Sequence, residues 1–363
     1  MGRPGCPARF FGAGIAMAEE LNDRGRQILE AIIEDYIASA EPVGSRAVTR
    51  RHQMSISPAT VRNVMADLEE MGYIASPHTS AGRVPTEKGY RFYVDSLLQL
   101  RQLTRDEQLR IEGHYRKRGL RVEELLQEAG KALSAMSSYT GIVMAPRFTS
   151  TVFRHIEFVR LSQGRLLVVF VTRSGLVQNK LVENSEDLSQ TELDQIGNYL
   201  NRTLDGLTMQ QVKARIIEEM AQEKALYDQL LQRALRLSEV ALRDEPGGQL
   251  YIEGTSKILD QPEFADVEKM RRLFRAFEKK SQLVELLDRT QQAGGVQIFI
   301  GSESEHREIE GCSLITANYS NSLGTLGTLG VIGPSRMPYS MVIPIVDYTA
   351  RLVSQLLESE ENG

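Results

Sequence analysis

The chain has 363 residues and a formal net charge of −5, with 41% hydrophobic and 25% charged residues. This length allows two or three domains, and no apolar run approaches the ~18 residues that a membrane-spanning helix needs. The two cysteines, Cys6 and Cys312, lie far apart and outside any ligand motif. These features exclude a disulfide framework and a cysteine-based zinc site, and they are typical of a protein of the reducing cytoplasm.

The N-terminal end differs in composition from the rest of the chain. Met1–Ala18 has two arginines and a short apolar centre that Gly12 and Gly14 interrupt. A signal peptide needs a longer apolar centre, so we predict a disordered N-terminal extension over residues 1–18. The alternative is that translation starts at Met17.

Two helices are predicted next. The first begins at Asn22 or Asp23, which can cap it, and its apolar stripe continues to Ser39. A turn containing Pro, Gly and Ser leads to a short second helix over Arg46–Arg51. We expect the first helix to lie under the helices that follow it, because its stripe needs an apolar partner.

Ser57 and Pro58 mark the start of a third helix, because Ser accepts the first free N–H groups and Pro suits the first helical position. One face of this helix is an apolar stripe made of Val61, Val64, Met65, Leu68 and Met71. The other face carries short side chains that donate or accept hydrogen bonds: Ser57, Thr60, Arg62, Asn63 and Asp67. Such a face can enter a DNA major groove, where Arg suits guanine and Asn suits adenine.

The segments on either side of this helix carry residues that suit DNA phosphates. The short second helix would cross the phosphate backbone and present Ser45, Arg46, Arg50 and Arg51. After the third helix, Tyr73–Ala75 and Arg83–Val84 are predicted to pair as a hairpin, or wing. We expect the wing to approach phosphates or the minor groove through His78, Thr79, Ser80 and Arg83.

The local charge favours DNA over a protein partner. Seven Lys or Arg and four acids lie between Pro42 and Tyr93, which makes this segment +3 in a chain of −5. A local basic module in an acidic protein is typical of a single nucleic-acid face. Helix–turn–helix geometry also occurs in protein-interaction domains, and a polar helix face can simply be solvated, so this alternative stays open.

Several segments of the sequence together resemble one family. The segments are LNDRGRQILEAIIEDYIASAEPVGSRAV, SPATVRNVMADLEEMGYIASPHTSAGRVPTEKGYRFYVD, YIEGTSKILDQPEF, CSLITANYS and GTLGTLGVIGPSRMPYS. From about Leu21 to Leu357 the chain resembles the heat-inducible transcription repressor family HrcA. The resemblance implies a winged-helix repressor of chaperone genes that binds an inverted-repeat operator and whose active state depends on the GroE chaperonin.

The rest of the chain alternates between helix-like and strand-like periods, which indicates an α+β protein rather than a doubly wound sheet. A strand is predicted at residues 140–145, and three more at 155–161, 166–172 and 176–183 look like an antiparallel meander. Later strands are predicted at residues 249–253, 296–300, 312–319 and 325–332. Helices are predicted at residues 122–136, 188–204, 209–226, 227–243, 264–277, 281–292 and 344–358. A charged helical linker is expected at residues 101–118.

The resemblance implies a multidomain arrangement in which a GAF-like domain is interrupted by an inserted dimerisation domain. We expect a winged helix-turn-helix domain at residues 19–100, a GAF-like α+β domain formed by 101–150 and 246–358, and an inserted α+β dimerisation domain at 151–245. Dimerisation also follows from the mode of binding, because one winged helix reads a half-site and a two-fold dimer reads an inverted repeat.

Patterns that carry catalysis or cofactor binding are missing from the sequence. The five histidines do not fall at metal-binding spacings, and no complete nucleophile or nucleotide-binding motif occurs. We therefore expect no metal, no cofactor and no enzyme activity. The glycines of Gly324–Gly333 are interpreted as a crowded strand rather than an anion-binding loop. A small-molecule sensor in the GAF-like domain is the alternative function.

Overall fold

The computed structural model describes residues 21–53, 56–78, 82–115, 121–146, 152–162, 164–173, 175, 177–183, 188–208, 211–212, 214, 249–291, 294–321 and 324–361. The predicted N-terminal extension, Thr79, Ser80 and almost all of the two helices predicted at 209–226 and 227–243 lie outside these residues.

The N-terminal part is a winged helix, as predicted. In order, its elements are α1 (Asp23–Ser39), α2 (Ser45–Arg51), α3 (Pro58–Glu70), β1 (Ile74–Ala75), β2 (Val84–Pro85) and α4 (Glu87–Phe92), which continues as a π-helical turn (Tyr93–Leu97). The antiparallel strands β1 and β2 form the wing. The predicted caps are confirmed, since Asn22 accepts a hydrogen bond from the Gly25 N–H and Ser57 accepts one from the Thr60 N–H.

A small apolar core holds these helices together. The stripe of α1 is buried against the apolar faces of α2 and α3, and the buried side chains include Ile28, Leu29, Ile32, Val48, Val61, Met65 and Leu68. Each such side chain contributes roughly 1.5–3 kcal/mol when it leaves water. Met71, which the sequence assigns to the stripe, is 38% exposed, because it follows the last residue of α3.

A five-stranded antiparallel sheet forms the centre of the molecule, and we call it the central sheet. Its strands are β3 (Thr140–Met144), β7 (Leu250–Glu253), β8 (Val296–Ile300), β9 (Cys312–Asn321) and β10 (Gly324–Pro334), in the spatial order β7-β3-β10-β9-β8. One face is covered by α6 (Val122–Ser137) and α10 (Tyr339–Glu361), against which α5 (Arg105–Gly113) packs. The other is covered by α8 (Val267–Lys279) and α9 (Ser281–Gln291).

A second, three-stranded sheet lies between β3 and β7 in the sequence. It consists of β4 (Phe153–Ser162), β5 (Arg165–Thr172) and β6 (Val177–Glu183), and α7 (Gln190–Leu204) packs on one of its faces. This unit has a hydrophobic core of its own, separate from the two cores of the central sheet.

The predicted antiparallel meander is confirmed as β4, β5 and β6, whereas β3 belongs to the central sheet. β3 pairs with β10 and β7 of the central sheet, and all five of its residues are buried. A strand that is buried on both faces needs elements above and below it, and the central sheet provides both. Among the described residues, helix α7 covers one face of the three-stranded sheet.

The glycines of β10 lie in a crowded strand, as predicted. A Cβ atom at Gly330 would clash with the Ile315 carbonyl oxygen, and one at Gly327 would clash with the Tyr319 hydroxyl. These strands approach so closely that no side chain fits.

One continuous hydrophobic core joins the winged helix to the central sheet. It includes the apolar residues of α1, α3 and α4 together with those of α6, α10 and the sheet face beneath them. The rings of Tyr90 in α4 and Tyr339 in α10 lie 6.2 Å apart, and both side chains are buried. The winged helix is therefore packed against the rest of the chain.

Candidate nucleic-acid interface

The polar face of α3 points to solvent. Arg62, Asn63 and Asp67 are exposed, and Thr60 is half-buried. The Ser57 and Thr60 hydroxyls lie 3.0 Å apart, and the Ser57 oxygen also caps the helix. The two hydroxyls therefore help to hold the N-terminus of α3 in place, while the Arg62 and Asn63 side chains are the ones most open to a ligand.

The residues of α2 that were predicted to contact DNA are not all on the surface. Arg46 and Arg50 are exposed, whereas Ser45 is buried with 8% of its surface accessible. The Ser45 carbonyl accepts a hydrogen bond from the Thr49 hydroxyl. Of the four predicted residues of α2, Arg46 and Arg50 are accordingly the ones placed to meet a phosphate.

Arg51 is tied to α1 by a carboxylate that sequence reasoning missed. Asp35 is largely buried, and its Oδ1 lies 3.3 Å from Arg51 and 3.4 Å from His52 Nε2. An acid placed among the apolar residues of α1 is the sequence signal that could have pointed to this contact. The pair fixes the C-terminal end of α2 on α1.

Two predicted contact residues of the wing are described: His78 is exposed to solvent, and Arg83 packs against α3. His78 is exposed, and its carbonyl accepts a hydrogen bond from the Ser76 hydroxyl at 2.8 Å. Arg83 forms an ion pair with Glu69 of α3 at 2.7 Å and donates to the Ser76 hydroxyl at 3.3 Å. Its backbone pairs with Val43 in both directions at 2.9 Å. Arg83 therefore braces the wing against α3.

Across the described residues, Arg46, Arg50 and Arg62 have no ion-pair partner, so these three cations are uncompensated by a neighbouring carboxylate. They lie on α2 and α3, the two helices predicted to face DNA. Uncompensated arginines on one surface attract a polyanion, because the counterions that a nucleic acid carries are released on contact.

The aromatic residues that follow the wing pack in the interior. Tyr90, Phe92 and Tyr93 are each less than 10% exposed, and the Phe92 ring contacts the Tyr73 ring edge-on at 5.3 Å. Burial, together with the charges of Glu34 and Glu30, raises the pKa of Tyr93 to about 12. These rings are unavailable for stacking on bases.

Comparison with known proteins identifies the family. A model described as winged helix-turn-helix transcription repressor, HrcA DNA-binding, matches residues 20–96, and one described as HrcA protein C terminal domain matches residues 123–343. The chain belongs to the HrcA family. This family consists of transcription repressors and not of enzymes, so the prediction that the chain is no enzyme is confirmed.

Curated HrcA relatives align with nearly the whole chain. A heat-inducible transcription repressor HrcA of Geobacter sulfurreducens is 60% identical over 341 residues, covering 94% of this chain and 99% of the relative. Another of Syntrophobacter fumaroxidans is 46% identical and covers 93% and 98%, respectively. A crystal structure described as that of a hypothetical protein shares the fold, with a TM-score of 0.62 at 23% identity over 94% of this chain and 100% of that one.

Neither a metal-ligand cluster nor a helix fit to span a membrane occurs among the described residues. No cluster of three or more His, Cys, Asp or Glu side chains in the described ranges could hold a metal ion. None of the helices in those ranges combines the length and apolar character that crossing a membrane requires.

Proposed function

We propose that this HrcA-family chain represses heat-shock genes in the cytoplasm by binding an inverted-repeat operator as a homodimer. The observation that supports this most directly is the exposed polar face of α3, in which Arg62 and Asn63 stand free over a tightly packed apolar core. A rigid helix with free bidentate side chains is what base reading in a major groove requires.

Phosphate contacts would orient the domain on the duplex. Arg46 and Arg50 of α2 flank the reading face, and the wing would add His78 together with Thr79, Ser80 and Arg83. Such contacts carry affinity and salt dependence, whereas the two side chains of α3 carry sequence preference.

The homodimer would form through the unit that contains β4, β5 and β6. We propose residues 151–245 as an inserted dimerisation domain, residues 101–150 and 246–358 as a GAF-like domain, and residues 19–100 as the DNA-binding domain. In the three-stranded sheet, we call the face turned away from α7 the outer face. It carries the apolar side chains of Val159, Leu167, Val169, Val171, Val177 and Leu181, and the polar side chains of His155, Glu157 and Asn179 lie among them.

The exposure of this outer face supports a partner there. Leu181 is 63% exposed and Val177 is 54% exposed, and Val159, Leu167 and Leu181 lie in one cross-strand row. An apolar patch of this kind marks an interaction surface in a soluble protein. A second copy is the partner that an inverted repeat demands, because a two-fold contact brings two winged helices to one duplex.

Control by heat would come from the GroE chaperonin. We propose that the folded dimer is marginal and that GroE restores inactive chains to it. When heat occupies the chaperonin with other unfolded proteins, the active repressor declines by mass action. The small-molecule sensor is a weaker candidate, because both faces of the central sheet are covered by helices and their buried apolar side chains.

The test is binding of the purified full chain to inverted repeats from its own chaperone promoters, with and without GroE, at growth temperature and after heating. We expect saturable binding to a repeat, loss of binding on heating, and recovery when GroE is added. A dimeric, folded protein that ignores every repeat in the presence of GroE contradicts operator binding, and a response that is indifferent to GroE contradicts the heat mechanism.

A further inference from the structure

Polar contacts around α4 hold the winged helix against one edge of the central sheet. The Glu87 carboxylate accepts hydrogen bonds from the Ser302 backbone N–H at 3.1 Å and from the Ser302 hydroxyl at 2.5 Å. One turn further along α4, Arg91 donates through Nε to Glu303 at 2.8 Å and through a terminal nitrogen to the Ile298 carbonyl at 2.7 Å. All the partners lie in β8, an edge strand, or in the turn that follows it.

The contact between Glu87 and the turn after β8 depends on a glycine at position 301. This residue has a φ of +57°, and a Cβ atom there would overlap the Glu87 carboxylate. A side chain is disfavoured twice, by the left-handed backbone and by the space that Glu87 occupies. The glycine therefore permits an approach between two segments that are more than 200 positions apart in the sequence.

A second attachment lies at the end of α1. Arg336, which precedes α10, donates to the Ile37 carbonyl at 2.6 Å, and the same guanidinium pairs with Glu263. The buried rings of Tyr90 and Tyr339 lie at the same junction. Two polar attachments combined with a buried aromatic contact resist both rotation and sliding of the winged helix.

Arg91 is bound at the junction with the central sheet, so it is not available to contact DNA. Its side chain is only 19% exposed, and its nitrogens are engaged by Glu303, Asp95 and the Ile298 carbonyl. A guanidinium with its donors satisfied in this way adds to the local positive charge but is committed to the junction with the sheet.

We propose that Glu87 and Arg91 are positioning residues that set the orientation of the winged helix on its protomer and thereby select the distance between operator half-sites. The inference rests on the proposed binding of an inverted repeat by a dimer. In a two-fold dimer, the separation and rotation of the two α3 helices follow from how each winged helix is held on its own protomer, here on the central sheet, and from how the two protomers contact each other. A rigid attachment fits one spacing, whereas a loose one tolerates several, because both half-sites must be engaged at once for tight binding.

The experiment measures affinity as a function of spacer length. Wild-type protein first selects an inverted repeat from randomised duplexes, and the spacer between its half-sites is then lengthened one base pair at a time through a helical turn of about 10.5 base pairs. We expect wild-type affinity to fall by about 100-fold at half a turn, where only one half-site can be engaged. Arg91→Ala and Gly301→Ala should reduce that fall to less than about tenfold.

Ser302→Ala guards against variants that fail to fold. It removes one hydroxyl donor to Glu87 and leaves the backbone and the packing in place, so we expect a partial flattening of the same profile at an unchanged thermal midpoint. The matched control is Arg351→Ala, which removes an exposed arginine of α10 that pairs with Asp347. Its spacer profile should equal that of the wild type, and base preference within one half-site should be the same in all these proteins.

Two results overturn the inference. One is a wild-type spacer profile in Ser302→Ala, Arg91→Ala and Gly301→Ala proteins that are folded and dimeric. The other is tighter binding by these variants at every spacing, which would make the junction autoinhibitory. If the wild-type protein selects no repeat at all, the proposed function fails, and the inference fails with it. If the wild-type protein selects a repeat but the variants keep its spacer profile, only the inference fails.

Discussion

At the scale of single residues, the arginines predicted to contact DNA fall into two groups. Among the described residues, Arg46, Arg50 and Arg62 are exposed without an ion pair, whereas Arg51 and Arg83 are held by Asp35 and Glu69. A free guanidinium is available for a base or a phosphate. A paired one must share its charge with a carboxylate that repels phosphate, so substitutions in the two groups should have different effects.

Arg62→Ala and Asn63→Ala should each relax base preference at one position of the half-site. We expect a loss of roughly 1–3 kcal/mol for the preferred base pair and little change for other sequences, because a lost bidentate contact removes discrimination. The measurement is fluorescence anisotropy on a set of single-base operator variants. Arg351→Ala is the control, and equal losses across all variants would contradict the assignment of this face as the reading face.

Substitution of Arg83 should weaken DNA binding, whereas substitution of its ion-pair partner Glu69 should not. Arg83→Ala should weaken binding to all sequences alike and reduce the slope of affinity against salt concentration, because a phosphate contact is lost. Glu69→Ala should leave binding unchanged or strengthen it, since it frees the guanidinium. Affinity is measured on operator and random duplexes at several salt concentrations. A weakening by Glu69→Ala as large as that by Arg83→Ala would show that the ion pair acts only as a brace for the wing.

At the scale of elements, the structure is governed by local signals at helix starts and by crowding in the sheet. The caps of α1 and α3 lie where the sequence predicts them, because a cap needs only a side-chain oxygen and a backbone N–H three residues away. α10 is different: it begins at Tyr339, five residues before the predicted start, and includes Pro344. Proline lacks one N–H, and this missing hydrogen bond near the start of a long buried helix is offset by packing.

Gly330→Ala should destabilise the central sheet. The added methyl group would clash with the Ile315 carbonyl oxygen of the neighbouring strand, and overpacking of this kind costs about 1–3 kcal/mol. The chain has no Trp, so unfolding in urea is followed by circular dichroism. The control is Gly113→Ala at the end of α5, where a Cβ meets nothing within 4 Å. An unfolding midpoint for Gly330→Ala at or above that of the wild type would contradict the crowded-strand interpretation.

At the scale of the whole molecule, the winged helix and the central sheet share one hydrophobic core, whereas the three-stranded sheet and α7 have their own. This division makes the three-stranded unit an appendage that can meet a partner without disturbing the rest. The apolar part of its outer face is where a second copy would contact it. Glu87 and Arg91 would set the orientation of α3 relative to the central sheet of each protomer.

Leu181→Asp should therefore dissociate the dimer. The substitution would place an unpaired carboxylate in an apolar contact, which should raise the dimer dissociation constant by about 100-fold or more. Sedimentation equilibrium of the variant gives the constant. Gln178→Lys, an exposed change on the same strand and on its opposite side, is the matched control. A Leu181→Asp protein that dimerises as tightly as the control would move the dimer surface elsewhere.

The sequence by itself determined the elements and the family. The Ser-Pro start of α3, its apolar stripe apart from Met71, and most strand positions were correctly predicted, because each depends on hydrogen bonds or periodicities within a few residues. The crowding at Gly327 and Gly330 of β10 was also correctly predicted, from the spacing of the glycines. The HrcA resemblance was carried by contiguous motifs, and the family comparison confirmed it.

Only the tertiary structure decided which elements meet. Three contacts join residues that lie 14 to more than 200 positions apart. They are the pairing of β3 with β10, the ion pair of Arg83 with Glu69, and the hydrogen bond from Arg91 to Glu303. Nothing local distinguishes β3 from its neighbours as a strand, and any of several carboxylates could have paired with these arginines. Which strands and side chains pair depends on which faces of the sheets and helices are buried. This burial is a property of the packed chain, and no short stretch of residues contains it.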